Sequence, residues 1–271
     1  MTVLLHISDT HFGTEEPPVV AAVQQLVREQ KPDAVILSGD ITHRARSAQF
    51  AAARRFCDSL GVAHLLTLPG NHDIPLYNAA ARLFSPYGKY MNCFGRDLEP
   101  EIELPDVLMI GVNTTRPNRH TDGEVSSRQI QRVVDRLRAR RPDQLRIVVT
   151  HQPACVMRPE DEKDRLRGVE KAVVAWSGAG ADLVLGGHIH LPYVSDIRAL
   201  AKGAPRTMYC VQAGTAVSHR VRHGTPNSLN MIRWDAPAAG ATRACRVERW
   251  DYDLADGRFE LTHPYDLQLG D

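Results

Sequence analysis

Apolar residues in this chain fall into two alternating rhythms. Short unbroken runs, "TVLLHIS", "AVILSG", "HLLTLPG", "VLMIGVN", "LRIVVTH" and "DLVLGGH", read as buried strands. Between them, "PPVVAAVQQLVREQ", "SAQFAAARRFCDSLG" and "SSRQIQRVVDRLRARR" space apolar side chains at i, i+3, i+4 and i+7, the period of an amphipathic helix. Strand alternating with helix predicts a largely parallel core with right-handed crossovers, so the fold class is α/β. From about Arg206 the rhythm changes: "RTMYCVQAGTAVS", "SLNMIRWD", "ACRVERWDYDL" and "RFELTHP" follow one another as strand-like pieces without a long helix. They predict an antiparallel second sheet built from residues 206–271. Nothing between Pro192 and Arg206 resembles a long flexible linker, so residues 1–271 read as one layered domain. Residues 75–105 fit neither rhythm, and are a candidate lid or substrate-facing insertion set against a plain packed loop.

Several of these strands finish in residues that bind metals. The first delivers Asp9 and His11, the second Asp40, and the third Asn71, His72 and Asp73. "LRIVVTH" delivers His151, and "DLVLGGH" leads into His188 and His190. The carboxyl ends of strands line the ligand crevice of open α/β sheets, so residues remote in sequence can converge there. Asp9 and His11, like His188 and His190, stand two apart, and on extended backbone such side chains point the same way. Glycine directly precedes Asp40, Asn71 and His188, as expected where backbone turns against a crowded centre. Each residue alone has a plainer explanation, since an Asp after Gly commonly caps a turn and a histidine commonly hydrogen-bonds within a core. The ordered set D-x-H, G-D, G-N-H-D, H, G-H-x-H, each member at a strand end, favours a metal centre.

Composition narrows the partners. Lys and Arg number 33 against 32 Asp and Glu, a formal charge of +1, which argues against wrapping nucleic acid or lying on anionic lipid. The five cysteines are scattered and form no C-x-x-C pair, which favours reduced thiols. No apolar run approaches a membrane span and the first residues lack the pattern of a signal peptide, so the expected location is cytoplasmic.

The ordered set resembles the signature of the calcineurin-like metallophosphoesterase superfamily, with every motif position filled from Asp9 to His190. The resemblance implies a four-layer αββα sandwich, two mixed β-sheets flanked by helices, with a dinuclear metal centre at the strand ends. It implies that Asp9, His11, Asp40 and His190 hold one divalent cation, that Asp40, Asn71, His151 and His188 hold the other, and that Asp40 bridges. His72 is then no ligand; it meets the leaving-group oxygen as a proton or hydrogen-bond donor, and Asp73 is expected to orient its ring. Only Asp9 and Asp40 oppose the four positive charges, so the centre stays cationic and favours a phosphoryl group over a neutral amide or ester. Two such cations polarise a water to hydroxide and clamp the phosphoryl oxygens during in-line displacement. Mixed N and O donors suit Mn, Fe or Zn.

Within the superfamily, "HISDTH", "GNHD" and "GGHIH" are similar to bacterial class III cyclic-nucleotide phosphodiesterases. That implies hydrolysis of a small-molecule phosphodiester, with 3′,5′-cyclic AMP as the first candidate. The alternatives are a phosphodiesterase or pyrophosphatase for another small diester or a lipid-linked diphosphate, and a catalytically inactive metal-binding scaffold. Asn71, His72, Arg44 and Asn113 are candidate substrate contacts, with His43 and Arg46 near the same crevice. His219 and His223 read as surface histidines, and His6 and His64 as structural members of their strands.

Overall fold

The structure, a computed structural model, describes every residue except 140, 142, 201–202, 223, 239–240 and 271, so His223 lies outside the described residues. One sheet contains β1 (Thr2–Ile7), β2 (Ala34–Leu37), β3 (His64–Thr67), β10 (Ser228–Trp234), β11 (Ala244–Asp253) and β12 (Arg258–Gln268), in the order β12-β11-β10-β1-β2-β3. The other contains β4 (Glu101–Glu103), β5 (Val107–Gly111), β6 (Leu145–Val149), β7 (Leu183–Gly186), β8 (Tyr193–Asp196) and β9 (Tyr209–Gln212), in the order β4-β5-β6-β7-β9-β8. Both are mixed. β1, β2 and β3 run parallel, as do β5, β6, β7 and β9, while the remaining pairings are antiparallel.

The strands after Arg206 do not form a second sheet of their own, contrary to the expectation from their pattern. β9 joins the second sheet parallel to β7, whereas β10 pairs with β1 and carries β11 and β12 onto the first. Local alternation reports which faces of a strand are buried but not which edge it finds.

Alternate residues of each strand face different layers. Leu4, Ile36, Leu66, Met109, Ile147 and Leu185 fill the space between the sheets. Leu5, Val35 and Leu37 face outward onto α1 (Pro17–Gln30) and α2 (Ser47–Ser59). α1 starts on two prolines whose missing N–H groups cost nothing in a first turn, and buries Val19, Val23, Leu26 and Val27 on one face. Beyond α3 (Ala79–Phe84) and α4 (Gly88–Phe94) comes α5 (Ser127–Arg138). Its capping box is reciprocal: the Ser126 hydroxyl accepts from the Gln129 N–H at 3.2 Å, and the Gln129 side chain accepts from the Ser126 N–H at 3.0 Å. α6 (Val169–Ala179), not among the predicted helices, joins α5 over the second sheet and buries Trp176 there; a short α7 (Ile197–Leu200) follows β8. Each aliphatic side chain buried in these layers contributes roughly 1.5–3 kcal/mol relative to exposure.

The segment 75–105 divides in two. Tyr90 of α4 is buried and its hydroxyl lies 2.8 Å from that of Thr67, which ties this part to β3. Leu76, Tyr77, Leu83 and Phe84 are exposed instead.

Candidate active site

The loops leaving β1, β2 and β3 meet those leaving β6 and β7, so the two sheets share one crevice. Two groups of donor atoms gather there, Asp9 with His11 and His190, and Asp40 with His151 and His188, each within 4.8 Å, and a third, all-imidazole group of His11, His43 and His72 adjoins them. His190 Nε2 lies 3.2 Å from Asp9 Oδ1 and 3.0 Å from His11 Nε2. His151 Nε2 lies 3.2 Å from Asp40 Oδ1 and 3.2 Å from Asn71 Oδ1. The other Asp40 oxygen stands 3.8 Å from His11 Nε2, so this one carboxylate faces both groups.

The residues present fit a pair of divalent cations. Among the described residues His188 Nδ1 is buried without a hydrogen-bond partner, and Asp9 Oδ1 faces the ring nitrogens of His190 at 3.2 Å and His11 at 3.8 Å. An orphaned acceptor at such a place costs free energy unless a cation or proton satisfies it. Backbone carbonyls also fix two rings with one nitrogen turned inward: His151 Nδ1 donates to Ser38 O at 2.8 Å and His190 Nδ1 to Arg220 O at 2.6 Å. Burial drives His11 down to about 3 and His188 down to about 4, so both are neutral donors at pH 7. Burial would raise the Asp9 and Asp40 carboxyls, but neighbouring His190 and His151 outweigh it and hold both below the usual carboxylate range.

The convergence does not arise from extended backbone, as the two-residue spacing suggested. Asp9, His11, Asp40, His188 and His190 all lie beyond their strands with left-handed φ of 52°, 43°, 48°, 73° and 54°. That region is unfavourable for residues with a Cβ, and such strain concentrates at functional sites. Matching backbone turns, not strand alternation, aim each pair. The glycine expectation holds at Gly70, where a Cβ would collide with the Asp40 backbone and carboxylate, and at Gly39, where φ is 105° and a Cβ would strike the His151 ring.

His72 is half-buried beside this centre. Its Nδ1 donates to His43 O at 2.9 Å, leaving Nε2 on the side of Asp40, 4.0 Å from Oδ2. Asp73 does not orient that ring. Its carboxylate accepts from the N–H groups of Ile41, Thr42 and Gly70 and from the Thr42 hydroxyl, at 2.8–3.0 Å, and so ties the loop after β2 to the loop after β3. The neighbour of His72 in sequence is turned away because a 3-10 turn over Asn71–Asp73 points successive side chains in different directions.

A cavity of about 340 Å³ opens over Asn71 and His72, with His43, Arg44, Tyr77 and Arg220 on its walls. Arg44 is thus at the site as expected. Asn113 is not among the residues lining it, because its side-chain oxygen is occupied by the N–H and hydroxyl of Thr115 at 3.1 and 2.7 Å. Arg46 lines an adjoining recess, and the exposed His219 belongs to a different one. His6 is buried on β1 with Nε2 2.9 Å from the Ser38 hydroxyl, whereas His64 on β3 is exposed. Sequence reasoning missed Arg220 and Tyr77. The basic run "SHRVRH" was the available signal for the first, and nothing local marks the second.

Comparison with known proteins agrees with this architecture. The calcineurin-like phosphoesterase family matches residues 2–192. A stretch of 82 residues is 39% identical to the glycerophosphodiester phosphodiesterase GpdQ of Enterobacter lignolyticus (strain SCF1), covering 26% of this chain and only 29% of that protein. The fold is similar to purple acid phosphatase PPD1 from yellow lupin (Lupinus luteus) seeds, with TM-score 0.73 and 11% identity over 98% of this chain and 53% of that one. It is also similar to a dimetal phosphatase from Danio rerio, with TM-score 0.63 and 12% identity over 99% of both chains. With the family match covering most of the chain and the donor groups in place, the protein belongs to the calcineurin-like phosphoesterases, a family of metal-dependent enzymes.

Proposed function

We propose that this protein hydrolyses a small phosphodiester, with Asp9, His11, Asp40 and His190 holding one divalent cation and Asp40, Asn71, His151 and His188 the other. The observation that carries the reading is the pair of donor groups meeting at Asp40, with His72 Nε2 beside them at the cavity floor. When bound, two such cations supply Lewis acidity toward water and the phosphoryl oxygens. The protein's part is positional. Asp40 and Asp9 keep the donor set anionic, the backbone carbonyls of Ser38 and Arg220 lock the histidine rings, and the cavity receives one ester arm. As water oxygen bonds to phosphorus and the P–O bond to the leaving group breaks, His72 Nε2 gives a proton or hydrogen bond to the departing oxygen.

A diester is favoured over a monoester by the likeness to GpdQ, named as a glycerophosphodiester phosphodiesterase, and by a cavity with room for a second arm. A nucleotide arm suits the exposed Tyr77 ring, on which a base can stack. The cavity is compact, which speaks for a nucleotide such as 3′,5′-cyclic AMP over a lipid-linked diphosphate. The test is a panel of 3′,5′-cyclic AMP, bis(p-nitrophenyl) phosphate and p-nitrophenyl phosphate, assayed with Mn²⁺, Fe²⁺ and Zn²⁺ on one metal-analysed preparation. Faster turnover of the diesters is expected. Preference for the monoester removes the diester reading, and no turnover with any metal leaves an inactive metal-binding scaffold.

A further inference from the structure

The two guanidinium groups on the cavity wall, Arg44 and Arg220, have no carboxylate within ion-pair distance among the described residues. Among the described residues no Asp or Glu lines the cavity. By contrast Arg222, two residues further along, pairs with Asp161 at 3.0 Å, and Arg119 and Arg167 are likewise matched to acids. Arg220 instead places Nη1 3.1 Å from His43 Nδ1 and 3.4 Å from His11 Nδ1, neither of which neutralises it. Arg44 lies over the Tyr77 ring, 5.8 Å from its centre, a contact that steadies the side chain but leaves the N–H edges of its fork available. The adjoining recess adds Arg46 and Lys89 beyond Arg44, again with no acid on its walls. Arg44 is exposed and Arg220 half-buried, and two like charges on one wall repel each other unless an anion joins them.

We propose that Arg220 and Arg44 select a phosphodiester whose retained arm carries a second anionic group, a terminal phosphate. The scissile diester itself occupies the metal-donor groups and His72, so a further anion is needed to answer two more guanidiniums. Arg–phosphate pairing supplies it through parallel N–H donors. A cavity of about 340 Å³ holds a nucleotide-sized arm and not a polymer. The inference rests on the phosphodiester reading above and refines it: a nucleoside diester with an extra phosphate is preferred to singly charged 3′,5′-cyclic AMP. Arg220 has a second duty through its main chain, since its carbonyl holds the His190 ring, and side-chain substitution leaves that contact available.

The test compares thymidine 5′-(p-nitrophenyl phosphate) with the same compound phosphorylated at the 3′ oxygen, a pair differing only in the second anion. Release of p-nitrophenol is expected to show kcat/KM at least about tenfold higher for the 3′-phosphorylated compound, mainly through KM. The advantage should shrink as salt is raised, because the pair is partly solvent-exposed. Arg44→Gln should draw the ratio toward one at unchanged metal content, Arg220→Gln should do the same per metal-loaded site, since its side chain also touches the His11 ring, and Arg220→Lys should restore part of it. Equal hydrolysis of both compounds by the unaltered protein overturns the inference, as does a ratio untouched by both glutamine substitutions. If only p-nitrophenyl phosphate is cleaved, the diester reading falls first and the inference falls with it.

Discussion

His72 and His6 show how two histidines of one chain acquire opposite duties from their surroundings. His72 is partly exposed to the cavity with Nδ1 already committed to His43 O, so only Nε2 can act on a ligand. His72→Ala should leave metal content unchanged while lowering kcat by about 10²-fold or more, as metal analysis and steady-state kinetics on one sample will show. Loss of metal along with rate would make it a ligand instead. His6 is fully buried, and burial lowers it from 6.5 to about 3. The unfolded chain therefore takes up the proton first. Stability from neutral His6 is present above pH 6.5 and is lost as pH falls toward 3, at up to about 1.4 kcal/mol per pH unit. Urea unfolding of His6→Gln across that range should show a shallower acid slope than the unaltered protein. At this scale donor identity was legible in the sequence, because Asp, His and Asn are what they are in any fold. The partners were not: Asp73 was misplaced because Ile41 and Thr42, which occupy it, come from another loop, and Asn113 because its oxygen turns back onto Thr115 two residues on.

Among the elements, the six short apolar runs and three amphipathic helices were legible because burial on one or two faces imposes a period on the chain. What alternation could not say is which sheet the late strands enter, and β10–β12 lie on the first sheet because β1 presents an open antiparallel edge to β10. The segment between β3 and β5 escaped for a related reason. Up to β4 it has no period of its own, and the buried Tyr90 hydroxyl ties it to Thr67 of β3. Tyr90→Phe should cost about 1–3 kcal/mol in denaturant unfolding, since it strands the Thr67 hydroxyl and carbonyl in the interior. An unchanged midpoint would mean that water reaches Thr67 and that the segment is not anchored there.

Across the whole molecule, the two sheets are held at the end remote from the crevice by one buried carboxylate. Asp182 accepts from Arg146 at 2.8 Å, from Arg206 at 2.9 Å and from Arg243 at 2.8 Å, joining the start of β7 to β6 and to the residue before β11. Asp182→Asn removes the only anion of that cluster among the described residues and should destabilise the fold by about 3–5 kcal/mol, measured by urea unfolding with metal present. A much smaller loss would show that the three guanidiniums relax into solvent.

By itself the sequence determined the donor set, the order in which strands deliver it, and the alternation that calls for helices on sheets. Those depend on residue identity and on periods a few residues long. Only the tertiary structure decided which strand lies beside which, that left-handed turns rather than extended backbone aim the paired ligands, and that Arg220 returns from a late loop to face His43 and His11. Such placements depend on contacts as remote in sequence as Thr2 with Trp234 in the β1–β10 pairing and Arg220 with His11, and no local period encodes them.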